Sequence, residues 1–135
     1  MKTIFLLLIS ATTYGQLWTS LGAGMTNKYL SSELQIGARV GQNTLSVGYI
    51  AMPEQSQPSL FNIRAGYLIG MVHIYAGYVH VLKSTDYKHR NYNTWQVGGS
   101  YNFCYYKRTT FFVSSSFSPK FITANVGMSY NLFKD

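Results

Sequence analysis

Apolar and polar side chains alternate along most of this chain, and each alternating run ends at a cluster of Gly, Pro, Asn, Ser or charge. The stretch NVGMSYNLF, from Asn125 to Phe133, shows the pattern: Val126, Met128, Tyr130 and Leu132 point one way, and Asn125, Gly127, Ser129 and Asn131 the other. A period of two is the signature of a β-strand with two unlike faces. The same period predicts strands over approximately Gln16 to Met25, Glu33 to Gly41, Thr44 to Ala51 and Leu60 to Ile69. Further strands follow over Val72 to Leu82 and Thr94 to Tyr106. A seventh strand is expected in TTFFVSSSF, where the adjacent Phe111 and Phe112 obscure the register, and an eighth begins near Phe121. The far end of the fifth strand, VHVL, breaks phase, as a bulge would make it do.

Eight strands with such spacing predict an all-β fold, an eight-stranded antiparallel up-and-down barrel crossing a membrane. The connections after strands two, four and six (GQN, GM, KR) are short. Those after strands one, three and five (TNKYLSS, MPEQSQPS, KSTDYKHRNYN) are longer and polar, with a short SPK after strand seven. Tight turns at one end and longer loops at the other suit a barrel with periplasmic turns and external loops.

Alternation alone leaves open which face is inside. A soluble barrel would bury the apolar face, whereas a membrane barrel turns it to lipid. Gly37, Gly48, Gly66, Gly77, Gly98 and Gly127 all fall on the polar face. Glycine weakens a strand, so its repeated use there needs a steric reason, and the narrow interior of an eight-stranded barrel supplies one. The apolar face also sorts its aromatics by height. Tyr67, Phe103, Tyr105, Phe111, Tyr130 and Phe133 fall toward the turn end, and Phe61, Tyr78, Trp95 and Phe121 toward the loop end. Aliphatic residues lie between, as in an aliphatic belt between two aromatic girdles. The apolar face is therefore expected outside.

Composition points the same way. Only 11% of residues are charged, against roughly 25% in ordinary soluble domains. Aromatic residues reach 16%, with 12 tyrosines. The single cysteine, Cys104, excludes an internal disulfide and is expected to pack inside the barrel as a small thiol. The opening MKTIFLLLISATTYGQ has a charged start, an apolar centre too short to span a bilayer, and small residues before a cut after Gly15. Residues 1–15 are thus expected to be a cleaved signal peptide and residues 16–135 the barrel domain.

With these strands, turns and girdles in place, the sequence resembles the small outer-membrane β-barrel proteins of the OmpA/OmpX type over nearly all of the mature chain. In particular, Gly127, Tyr130, Leu132 and Phe133 look like the C-terminal signal such proteins present to the barrel-assembly machinery. Lys134 and Asp135 depart from the pattern by following the terminal aromatic. The resemblance implies a monomer in the cell outer membrane, with outer-membrane lipid and lipopolysaccharide as neighbours.

Candidate chemistry is sparse. Arg39, Arg64, His73 and Gln96 face the interior by parity, with Glu33, Asn62 and Tyr75 as available partners. They make either an internal anion site or, as the favoured reading, a polar network that fills the barrel, since buried charges must be paired. Lys28, Lys83, Lys88, Arg90 and Lys120 give the external loops a positive cast that fits phosphorylated glycolipid. No CxxC, HExxH or carboxylate-rich calcium loop occurs, so neither a metal nor a cofactor is expected. Nucleic acid is not an expected partner. His80, His89 and the many serines form no local catalytic spacing, so the chain is read as non-enzymatic, with a structural or surface-interaction role. The alternatives are an outer-membrane lipid-modifying enzyme and a soluble barrel of lipocalin or avidin type, whose aliphatic residues would line a cavity.

Overall fold

The computed structural model describes residues 16–54, 58–82 and 92–132. Within them the chain forms eight strands: β1 (Gln16–Thr26), β2 (Tyr29–Val40), β3 (Asn43–Ala51), β4 (Ser59–Ile69), β5 (Val72–Leu82), β6 (Tyr92–Tyr106), β7 (Thr109–Phe117) and β8 (Ile122–Asn131). Each pairs antiparallel with its sequence neighbour, and β1 pairs with β8 from Trp18↔Asn131 to Thr26↔Thr123. Closure leaves no strand edge, so the backbone satisfies its own hydrogen bonds all the way round.

Four two-residue turns tighten the hairpins, and the first turn residue has positive φ in each: Asn27, Gly41, Gly70 and Lys107, at 53° to 62°. That geometry matches the right-handed twist of the flanking strands. Glycine adopts it freely, asparagine tolerates it, and Lys107 bears a steric cost. The connection after β1 differs from expectation. It is only Asn27 and Lys28, because β1 and β2 extend their pairing to Thr26↔Tyr29. Asn27 then ties this turn to the β7–β8 connection. Its side chain donates to the Lys120 carbonyl at 3.1 Å and accepts from the Ile122 amide at 3.0 Å.

The apolar face is outside. Leu34, Ile36, Val47, Ile63, Ile74, Val97, Val126 and Met128 are each about half exposed, while the polar partners on alternate positions are buried. Outward rings form one band near the loops (Tyr49, Phe61, Tyr78, Trp95, Phe117) and another near the turns (Tyr67, Tyr101, Phe103, Phe111, Tyr130). Trp95 and Phe117 stand next to each other with ring centroids 6.0 Å apart. A lipocalin-like arrangement, with the belt lining a cavity, is thereby overturned.

Three local expectations are corrected. The VHVL segment contains no bulge, since β5 pairs regularly from Ser59↔Leu82 to Ile69↔Val72. Val79 and Val81 face inward because the β3–β5 side of the interior is apolar toward the loop end, while Thr26, Ser31 and Thr123 keep the β1, β2 and β8 side polar. Ile50, Met52, Leu60, Val79, Val81 and Phe121 form a buried cluster with Tyr29 packed against it. Phe121 therefore belongs to this plug and not to the outer girdle. The bulge lies instead in β6, where Asn102 pairs with Phe112 and Cys104 with Phe111, leaving Phe103 unpaired. One extra residue reverses the parity that follows it. Cys104 is thus exposed on the outer face, and Tyr105 turns inward to line the interior.

Candidate functional site: the barrel interior and its two ends

The polar face closes into a lumen crossed by one connected set of side chains. At its centre Glu33 on β2 accepts from Arg64 on β4, with Nη2 to Oε1 at 2.7 Å, and from Asn125 Nδ2 on β8 at 2.7 Å. Gln35 Nε2 also donates to Oε1. Arg64 further reaches Gln96 Oε1 at 3.4 Å, and its guanidinium lies 4.6 Å from the centroid of the Tyr75 ring. Both charged residues are more than nine-tenths buried, so this pair is stable only because each ion is also held by dipoles or a ring. The backbone makes room for it. A Cβ at Gly98 would stand 2.7 Å from the Tyr75 hydroxyl, and one at Gly37 would strike the Trp18 ring.

Arg64 and Gln96 therefore meet, whereas Arg39 and His73 sit apart from them toward the turn end. Arg39 Nε donates to the Gly41 carbonyl at 2.8 Å. His73 Nε2 lies 2.7 Å from Thr44 Oγ1, and its ring centroid is 5.5 Å from that of Tyr75. Gln35 and Asn125, which complete the shell around Glu33, carry no signal in the sequence beyond inward parity. Below the ion pair a cavity of about 290 Å³ extends toward the turn end, lined among others by Trp18, Arg39, His73, Tyr75, Tyr105 and Lys107.

At the loop end Lys28 and Lys120 are exposed, close to each other through the Asn27 bridge. Lys83, Lys88 and Arg90 lie outside the described residues, as do the proposed signal segment 1–15 and Phe133. His80 faces outward, and its imidazole meets Asn93 Oδ1. No group of three His, Cys, Asp or Glu side chains able to hold a metal occurs among the described residues. Of the C-terminal set, Gly127 faces the lumen against the Leu21 carbonyl, while Tyr130 and Leu132 are exposed on the outer face.

No sequence profile of a known family matches the chain, and no curated protein does. Solved structures do. The N-terminal β-barrel domain of Pseudomonas aeruginosa OprF is similar at a TM-score of 0.74 and 13% identity, covering 87% of this chain and 97% of that one. The de novo designed TMB2.3 gives 0.64 and 14%, covering 89% and 96%. A structure from a study of designed transmembrane β-barrels gives 0.58 and 15%, covering 88% and 97%. The fold is that of a transmembrane β-barrel. At such identities the likeness carries architecture and nothing of activity. No helix among the described residues is long and apolar enough to cross a membrane.

Proposed function

We propose that the chain is an exported, monomeric outer-membrane barrel with a non-enzymatic, structural or surface-interaction role. The observation that carries this reading is the exposed aliphatic belt between two aromatic bands, wrapped around a polar lumen with the buried Glu33–Arg64 ion pair at its centre. A surface of that kind is costly in water and stable in a bilayer, whose hydrocarbon meets the belt and whose headgroup regions meet the rings. The reading includes a cleaved leader at residues 1–15 and recognition of Gly127, Tyr130, Leu132 and Phe133 during assembly. The turn end then faces the periplasm and the loop end, with Lys28 and Lys120, the cell exterior; together with Lys83, Lys88 and Arg90 of the β5–β6 connection these basic residues have glycolipid phosphates as natural partners.

The test is to refold the mature chain with and without detergent micelles or lipid vesicles. A heat-modifiable gel band and β-type circular dichroism that require the amphiphile support the reading. A folded monomer in plain buffer refutes it. For the loop end, Lys28→Glu with Lys120→Glu should weaken retention of lipid A during purification, while dephosphorylated lipid A should be retained poorly by either form. Equal retention in all cases would remove the glycolipid role.

A further inference from the structure

The lumen is asymmetric along its axis. Its loop half is filled by Ile50, Met52, Leu60, Val79, Val81 and Phe121, none of which lines the cavity. Its turn half is hollow. The cavity of about 290 Å³ has room for roughly ten waters and falls at the small end of ligand sites. The Glu33–Arg64 pair and Tyr75 form its inner end, and turn-proximal residues such as Gln16, Arg39, Lys107 and Asn131 form its mouth.

Charge and ring placement define what such a cup would hold. The residues lining it include three cations, Arg39, Arg64 and Lys107, against one carboxylate, Glu33; the exposed Lys107 side chain rests with Nζ 5.5 Å from the centroid of the Tyr106 ring beside the mouth. That carboxylate is already engaged by Arg64, Gln35 and Asn125, so it offers nothing to the cations at the mouth. Four aromatic rings share the wall: Trp18, Tyr75, Tyr105 and Phe112. Two of them are there by specific backbone devices. Gly37 lets the Trp18 ring lie directly against the wall, and the β6 bulge turns Tyr105 inward near Lys107. Cations at the mouth and rings along the wall are complementary to a small anion with a flat apolar body.

We propose that the barrel is a blind cup, open at its turn end, that binds small aromatic carboxylates through Arg39 and Lys107 at the mouth and Trp18 and Tyr105 along the wall. This rests on the transmembrane reading. The experiment uses the sequence's own reporter. The chain has two tryptophans, Trp18 in the lumen and Trp95 on the outer face, so Trp95→Phe leaves Trp18 alone. This variant is refolded in micelles, its heat-modifiable band is confirmed, and Trp18 emission is followed during titration with benzoate, benzyl alcohol and inorganic phosphate.

A saturable response to benzoate is expected, at least tenfold tighter than to benzyl alcohol or phosphate. Arg39→Gln with Lys107→Gln should weaken benzoate tenfold or more while preserving the folded band. Tyr105→Ala should weaken benzoate and leave phosphate unchanged. A folded barrel whose Trp18 ignores benzoate, or that binds benzyl alcohol as well as benzoate, overturns the cup. Undiminished benzoate binding by the Arg39/Lys107 variant does so too. A chain with no heat-modifiable band overturns the transmembrane reading itself, and the cup with it.

Discussion

Replacing Arg64 by Met would remove one ion of a buried pair while nearly keeping its volume. In the folded barrel Arg64 Nη2 sits 2.7 Å from Glu33 Oε1, and the guanidinium lies over Tyr75. Without it, Glu33 keeps only the amides of Gln35 and Asn125. Breaking a buried pair in this way costs about 3–5 kcal/mol. Because both residues border the cavity, where water can screen the orphaned carboxylate, the lower end of about 3 kcal/mol is expected here. The companion Glu33→Gln/Arg64→Met double variant leaves no orphan and should return to within about 1 kcal/mol of the parent, since apolar or neutral replacement of a whole buried pair is often neutral. Urea titration in micelles, followed by tryptophan emission, measures all four corners of the cycle. Additive losses, with a coupling below about 0.5 kcal/mol, would refute the claim that these side chains form one coupled pair in the lumen.

Other expectations follow from the same geometry. Val97, flanked by Ala76 and Phe117 on the outer face, should cost about 2–4 kcal/mol as Val97→Arg in bilayers. Ser100→Ala on the lumen side should stay within about 0.5 kcal/mol, and equal tolerance at the two sites would reverse the assignment of faces. Leu60, 1% exposed within the plug, should lose about 2–5 kcal/mol on truncation to Ala, whereas the exposed Leu30→Ala should lose far less; both are read by urea midpoints. At Gly41, with φ of +62° and no atom near a would-be Cβ, Gly41→Ala should cost about 1–2 kcal/mol through the backbone alone. An unchanged unfolding midpoint there would argue against the positive-φ turn.

Period-two alternation determined the strands, because each strand separates two solvents and each residue must suit one of them. It also placed the belt outside, since six glycines on the polar face need the crowding of a narrow lumen to justify them. Parity put Arg64 and Gln96 inside, and tertiary closure decided that Arg64 meets Glu33 and that Arg39 does not join them. Those partners come from β2, β4, β6 and β8, whose heights are set by the register of the whole barrel and not by spacing along the chain. Two features escaped the pattern for a common reason: the β6 bulge and the apolar plug change what inside and outside mean midway along a strand. A bulge changes which way the next residue points, and a plug changes which chemistry the interior prefers. Alternation is a local signal and carries neither piece of information. Only the paired neighbours fix Cys104 outward, Tyr105 inward, and Val79 and Val81 against Phe121.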